Sequence, residues 1–178
     1  MNILCTGGLG YIGSHTVVAL INSGHSVVIV DDLSNSDIGT LEAIFQITGV
    51  KPIFYNFNLC DRIKTFDLFK RESVDAVIHF AAHKSVPQSV KLPLKYYKNN
   101  LESLINVLDA SYNTVGMVFS SSCAVYGNSP SPVTEDSPIS PLSPYAWTKA
   151  MSEQIIEDTV KARPFGGISL RYFNPAGC

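Results

Sequence analysis

Charge is scarce in this chain. Asp, Glu, Lys and Arg make up 16% of the 178 residues and leave a net charge of −2, so nothing electrostatic draws the protein to nucleic acid or to an anionic membrane surface. No apolar run reaches the roughly 20 residues of a membrane span, and Met1-Asn2-Ile3 lacks the basic start of a signal peptide. Cysteine is sparse as well. Cys5, Cys60, Cys123 and Cys178 stand far apart, which excludes closely spaced metal and redox motifs and suits free thiols in a reducing cytosol. The expectation is a cytoplasmic protein with no metal, nucleic acid or membrane partner.

What the chain does have is alternation. Hydrophobic residues make up 46%, ordinary for one soluble α/β domain over residues 1–178. Short apolar runs at 3–6, 25–31, 51–58, 74–82, 115–121 and 167–173 are expected as strands. Amphipathic segments at 11–22, 38–48, 61–72, 94–112 and 143–160 are expected as helices. Such alternation implies parallel strands joined by right-handed crossovers, hence a doubly wound parallel sheet. Val27-Val28-Ile29-Val30 and Ala76-Val77-Ile78 read as central strands buried on both faces. A Pro/Ser-rich loop is expected from 128 to 143.

The first strand ends in a glycine cluster. Gly8, Gly10 and Gly13 fit Gly-x-Gly-x-x-Gly, while Gly7, Gly10 and Gly13 fit the looser Thr-Gly-x-x-Gly-x-x-Gly. Glycine suits this turn because the backbone must approach a pyrophosphate, with amides of the following helix facing it. Asp31 lies 18 residues beyond Gly13 (31 − 13) at the end of the second strand, where a carboxylate takes ribose hydroxyls in a Rossmann-type fold. Asp31 and Asp32, with no Lys or Arg before Lys51, favour NAD over NADP. Asn58-Leu59 closes the third strand, either as a plain turn or against adenine.

Ser143-Pro144 is a helix start, with Ser143 as N-cap and Pro144 at the first helical position. Tyr145 and Lys149 then lie one turn apart on one face. A nearby ammonium is expected to lower the Tyr145 pKa and make the phenol a usable general base. One hydroxyl of Ser120-Ser121-Ser122 would complete the set around a substrate alcohol. His15 and His79 read as core histidines and Glu135-Asp136 as a solvated pair. Leu101, Leu104, Ile105 and Leu108 read as core, or as a helix face open to a dimer partner.

The glycine turn with Tyr11-Ile12-Gly13-Ser14-His15-Thr16, together with Tyr145-x-x-x-Lys149, resembles the extended short-chain dehydrogenase/reductases. Within them, three segments are similar to UDP-galactose (UDP-glucose) 4-epimerases. These are Val77-Ile78-His79-Phe80-Ala81, Ser120-Ser121-Ser122-x-x-Val125-Tyr126-Gly127 and Leu170-Arg171-Tyr172-Phe173-Asn174-Pro175. The resemblance runs from residue 2 to 178. It implies a sugar-nucleotide isomerase of galactose metabolism, using tightly bound NAD and a UDP-hexose. It also implies that Ser122 and Tyr145 hold the sugar 4-hydroxyl, and that Lys149 binds the nicotinamide ribose and tunes Tyr145. Cofactor contacts are implied from Gly7, Gly10, Tyr11, Ile12, Gly13, Asp31, Asp32, Leu33, Ser34, Asn35, Ser36, Asn58, Leu59, Phe80, Ala81, Ala82, His83, Lys84, Asn99, Ser122, Tyr145, Lys149 and Phe173. Lys84, Ser122, Tyr145, Tyr172 and Asn174 would border the sugar nucleotide, and a homodimer through the region from Leu94 to Tyr112 is implied.

There are departures. Asn58 stands where the family usually has Asp, which is expected to weaken the adenine contact without abolishing it, since an amide oxygen can still accept. Ala82-His83 and Cys123-Ala124 replace commoner choices, and Cys123-Ala124 lacks the acidic pair of the dehydratases and the Glu of many decarboxylases. Reversible alcohol oxidation is what remains. The family continues into a substrate domain of comparable size, so a 178-residue chain is expected to lack most of the uridine pocket, bind NAD weakly and turn over little. Two alternatives stand beside the epimerase. A net sugar-nucleotide reductase would release reduced cofactor, and a non-catalytic NAD-binding fragment would bind without turnover.

Overall fold

The computed structural model describes residues 1–176. Six parallel strands form one sheet: β1 (Asn2–Thr6), β2 (Ser26–Asp31), β3 (Ile53–Asn56), β4 (Ala76–His79), β5 (Gly116–Ser120) and β6 (Gly166–Leu170). Their spatial order is β3-β2-β1-β4-β5-β6. The direction of winding reverses between β1 and β4, whose paired register runs from Ile3 opposite Ala76 to Thr6 opposite His79. A sheet wound both ways opens a crevice at this reversal, beyond the strand carboxyl ends. The doubly wound sheet expected from the alternation is therefore the fold observed.

Helices cover both faces. Period-two side chains split the core: Leu4, Val28 and Val30 face one side with Leu68, Leu104, Val107 and Ile156. Ile3, Cys5, Val27 and Ile29 face the other with Val17 and Ile44. The first layer rests on α3 (Arg62–Arg71), α5 (Pro93–Ala110) and α6 (Pro144–Ala162), and the second on α1 (Tyr11–Asn22) and α2 (Gly39–Thr48).

Several boundaries differ from the sequence reading. The segment expected as one helix from 94 begins at Pro93 and ends at Ala110, and a separate short helix, α4 (Val86–Lys91), precedes it. Leu92 breaks the two apart, outside the helical region at φ −132° and ψ 59°, because a residue before proline is pushed out of that region. The strand expected to reach 173 stops at Leu170, so Arg171, Tyr172 and Phe173 leave the sheet. A 3-10 turn, Cys123–Tyr126, follows β5. His15 is exposed rather than core, its ring 5.4 Å from that of Tyr11. Ile105 is 48% exposed, whereas Leu104 and Leu108 are buried. Glu135 and Asp136 are exposed, as expected. Cys5, Cys60 and Cys123 are free thiols, and Cys178 lies outside the described residues. Among those residues no helix is long and apolar enough to cross a membrane, and no cluster suited to a metal ion occurs.

Candidate active site

A cavity of about 520 Å³ opens at the reversal in strand order. Its floor is the glycine turn. Gly7, Gly10 and Gly13 line it, while Gly8 faces the core, where a Cβ would lie 2.9 Å from Ile29 Cγ2. The looser glycine pattern is therefore the one with a role here. Gly7 has φ +66°, and a Cβ there would sit 2.8 Å from the Ala81 nitrogen. Gly10 precedes α1 without a side-chain cap, which leaves the first helical turn to a ligand. A floor of this shape, where any side chain would intrude, together with uncapped amides, fits a dinucleotide pyrophosphate.

Asp31 and Asp32 stand at the adjoining wall. Asp31 is buried and accepts from Leu9 N (3.1 Å), Leu33 N (3.0 Å) and Ser36 Oγ (2.7 Å), clasping the loop after β2 to the glycine turn. Leu33 is not among the lining residues. It has φ 59° and packs against the α1–α2 core layer, which corrects its expected cofactor contact. Ser34, Asn35 and Ser36 do line the cavity.

Asn58 behaves differently from the acceptor expected of it. Its Oδ1 already accepts from Cys60 N at 2.8 Å, and its Nδ2 donates to Asp32 Oδ2 at 2.7 Å and to Asn99 Oδ1 at 3.3 Å. Burial lifts the Asp32 pKa, yet hydrogen bonds from Ser34 and Asn58 hold it below the ordinary value. Asn58→Asp would press two carboxylates together. We expect it to cost roughly 1 kcal/mol at pH 7, with the difference in melting temperature shrinking toward pH 3 as the carboxylates protonate.

Opposite the glycine turn, Phe80, Ala81, Ala82, His83 and Lys84 follow β4 into the cavity wall. Asn100, a buried neighbour of the expected Asn99, anchors this loop. It accepts from His83 N (2.8 Å) and donates to His83 O and Thr148 Oγ1 (both 3.0 Å). Beneath them His79 is buried, its Nδ1 2.9 Å from Thr6 Oγ1 and its ring stacked on Phe119. Burial, with help from Lys149, pushes its pKa down to about 3. Between the ordinary 6.5 and that value, the unfolded chain takes a proton that the folded chain refuses, so stability falls as pH drops through this window. The wild-type melting temperature is expected to decline more steeply from pH 6.5 to 4 than that of His79→Gln.

The third wall carries Ser120, Ser121, Ser122, Tyr145 and Lys149, with Tyr172, Phe173, Asn174 and Pro175 beside them. Ser143 Oγ accepts from Ala146 N at 3.2 Å, so the cap places Tyr145 in the first turn of α6 as expected. Lys149 is 4% exposed. Its Nζ donates to the Ser120 carbonyl at 2.6 Å and lies 5.9 Å from the Tyr145 ring centroid. Burial pulls its pKa down to about 8, against the pull of Glu153. Tyr145 is raised, chiefly by burial, with the Ser122 contact opposing. The expected lowering of Tyr145 by the ammonium is thus overturned, because desolvation wins while Nζ addresses a carbonyl.

Ser120 and Ser121, expected with Ser122 as a serine run, also line the cavity, as does Pro175 at the end of the segment 170–175. Val30, Phe57 and Ser103 line it as well and were not singled out as site residues in the sequence reading. Val30, Phe57 and Ser103 carry no signal beyond lying next to marked positions.

A model of the NAD dependent epimerase/dehydratase family matches residues 3–178. The chain belongs to that family. Family members of known name are close. UDP-glucose 4-epimerase of Bacillus subtilis is 47% identical over 181 residues, covering 99% of this chain and 53% of its own. The Schizosaccharomyces pombe enzyme is 44% identical, covering 98% and 52%. The structure of UDP-glucose 4-epimerase from Bifidobacterium longum in complex with NAD+ and UDP superposes with a TM-score of 0.96 at 39% identity, over 99% of this chain and 54% of that one. That from Stenotrophomonas maltophila, with bound NAD and formylated UDP-arabinopyranose, gives 0.95 at 44% identity, with 99% and 54% covered. As a member of the epimerase/dehydratase family, the chain spans about half the length of the relatives it matches.

Proposed function

We propose that residues 1–178 form the NAD-binding domain of a cytoplasmic UDP-glucose 4-epimerase that interconverts UDP-galactose and UDP-glucose through a 4-keto sugar. The observation that carries this is one cavity holding both a glycine floor suited to a pyrophosphate and a Ser122/Tyr145/Lys149 wall suited to a secondary alcohol. The glycine turn, Asp31, Asp32 and Asn58 would hold the adenosine and pyrophosphate. Lys149, Phe80 and Phe173 would hold the nicotinamide end. NAD, when bound, supplies reversible acceptance of a hydride. Tyr145 takes the proton of the sugar 4-hydroxyl and later returns it, and Ser122 orients that hydroxyl by hydrogen bonding. Lys84, Tyr172 and Asn174 border the sugar nucleotide. Cys123-Ala124 after the serine offers no acid–base pair for elimination of water, which favours epimerisation over dehydration.

A second copy of the chain is the proposed partner. Leu94 and Ile105 on α5 and Tyr112 just beyond it are exposed, which supports a dimer through that helix.

The test is product analysis of the NAD-loaded protein given UDP-galactose. UDP-glucose appearing without NADH supports the proposal. Accumulating NADH indicates the reductase reading, and NAD binding with no product at any enzyme concentration indicates a binding fragment.

A further inference from the structure

Tyr145, Lys149 and Glu153 stand at i, i+4 and i+8 on α6, a single stripe facing the end of β5. Each meets a different member of the serine run. Tyr145 meets the Ser122 side chain, Lys149 Nζ donates to the Ser120 carbonyl, and Glu153 Oε1 accepts from Ser121 Oγ. Glu153 itself does not line the cavity. It is clamped from behind by Arg171, whose Nε donates to Oε1 and Oε2 at 3.0 and 3.2 Å and whose Nη2 donates to Oε2 at 2.8 Å. The pair is largely buried, at 20% and 11% side-chain exposure. Arg171 Nη1 also donates to Tyr126 Oη at 2.9 Å and to the Glu135 carbonyl at 3.1 Å. The next residue, Tyr172, accepts from Cys123 N at 2.7 Å. One carboxylate thus joins the helix of Tyr145, the serine segment and the loop that carries Tyr172.

We propose that Glu153 is a positioning residue for the reaction at Tyr145: held by Arg171, its carboxylate fixes the serine segment and keeps the buried Lys149 ammonium charged. This rests on the roles proposed for Tyr145 and Lys149. The groups facing Lys149 can be named element by element. His79 faces it from β4, and the Phe119 ring and the Ser120 carbonyl from β5. Tyr145 and Glu153 face it from α6, and Arg171 lies behind Glu153. His79 is uncharged near neutrality, so Glu153 supplies the negative charge that offsets burial of the ammonium.

The signs separate this role from simple loosening of the structure. Loosening hydrates Lys149 and moves its titration up toward the ordinary 10.5. Removing the Glu153 charge in a folded protein moves it down.

The experiment is an NMR titration of lysine amines in isotope-labelled protein, with the Lys149 signal assigned by its loss in Lys149→Met. Glu153→Gln is expected to lower the Lys149 midpoint by about one pH unit, and Glu153→Asp by less, in the same direction. Should Glu153→Gln fail to fold, Glu153→Asp decides. An unmoved or raised midpoint in a folded Glu153 variant overturns the proposal. An unmoved midpoint alongside an inactive Tyr145→Phe defeats this inference alone. A lowered midpoint alongside an active Tyr145→Phe defeats only the proton-transfer reading.

Discussion

Tyr145→Phe is expected to reduce turnover of UDP-galactose by about 10²–10⁴-fold while leaving NAD affinity within a few-fold. The ring stays, so the packing of the first turn of α6 stays with it, and Ser143 still caps the helix through Ala146 N. Only the hydroxyl that meets Ser122 is removed. The glycine floor and the Asp31 clasp lie at other strand ends and keep their contacts. The comparison of isothermal titration with NAD and product formation from UDP-galactose therefore splits cleanly, with binding kept and turnover lost. Equal loss of both would mean that Tyr145 shapes the cavity and does no proton transfer.

The pH dependence carries the same logic. Tyr145 sits above its ordinary value of 10.0 while Lys149 is pulled down to about 8. Phenolate beside ammonium is then a minority form. Its population rises with pH up to about 8 and is level from there to the tyrosine's own pKa. Turnover limited by Tyr145 should climb from pH 6 to 8 and then flatten, and Tyr145→Phe should erase the slope.

What was legible in the sequence followed from local rules. The continuous apolar run 27–30 marks a strand buried on both faces, and Val27, Val28, Ile29 and Val30 are all buried in β2. Ser143-Pro144 fixes where α6 starts, and that alone puts Tyr145 and Lys149 on one face. The sheet then brings the glycine turn, the loop after β4 and the serine segment together, because all three follow strand carboxyl ends.

What escaped the sequence depends on partners distant along the chain. Glu153 drew no notice in the sequence and Arg171 only as part of the segment 170–175, and the departure of the chain from β6 after Leu170 makes them a pair. Asn58 reads as a free acceptor until Cys60 N and Asp32 occupy its amide. The direction of the Tyr145 shift depends on a balance between burial and charge, and burial has no signature in residue spacing. Leu33 reads as one more residue of a cofactor loop, but its left-handed backbone turns the side chain toward the core. In each case what was missing was the spatial neighbourhood of the residue, which spacing along the chain does not carry.

Gly13→Ala is expected to damage both the fold and cofactor binding. A Cβ there would lie 2.3 Å from the Gly7 carbonyl oxygen and 2.9 Å from Gly8 Cα. Both are main-chain atoms of the turn itself, so no side chain can swing aside. Relief requires the floor of the cavity to open or α1 to slide along β1. We expect a loss of roughly 3 kcal/mol, or about 6–12 °C in melting temperature for a chain of this size, together with at least a tenfold loss of NAD affinity. Gly49→Ala separates space from backbone conformation. Gly49 has φ +71°, yet a Cβ there meets nothing within 4 Å, so left-handed strain alone should cost about 1 kcal/mol and leave NAD affinity unchanged. If the two variants lose affinity alike, the turn yields easily to a methyl group and closeness of backbone to ligand is not what glycine provides there. If Gly13→Ala alone loses it, the floor must stay bare for the pyrophosphate to settle on the amides of α1.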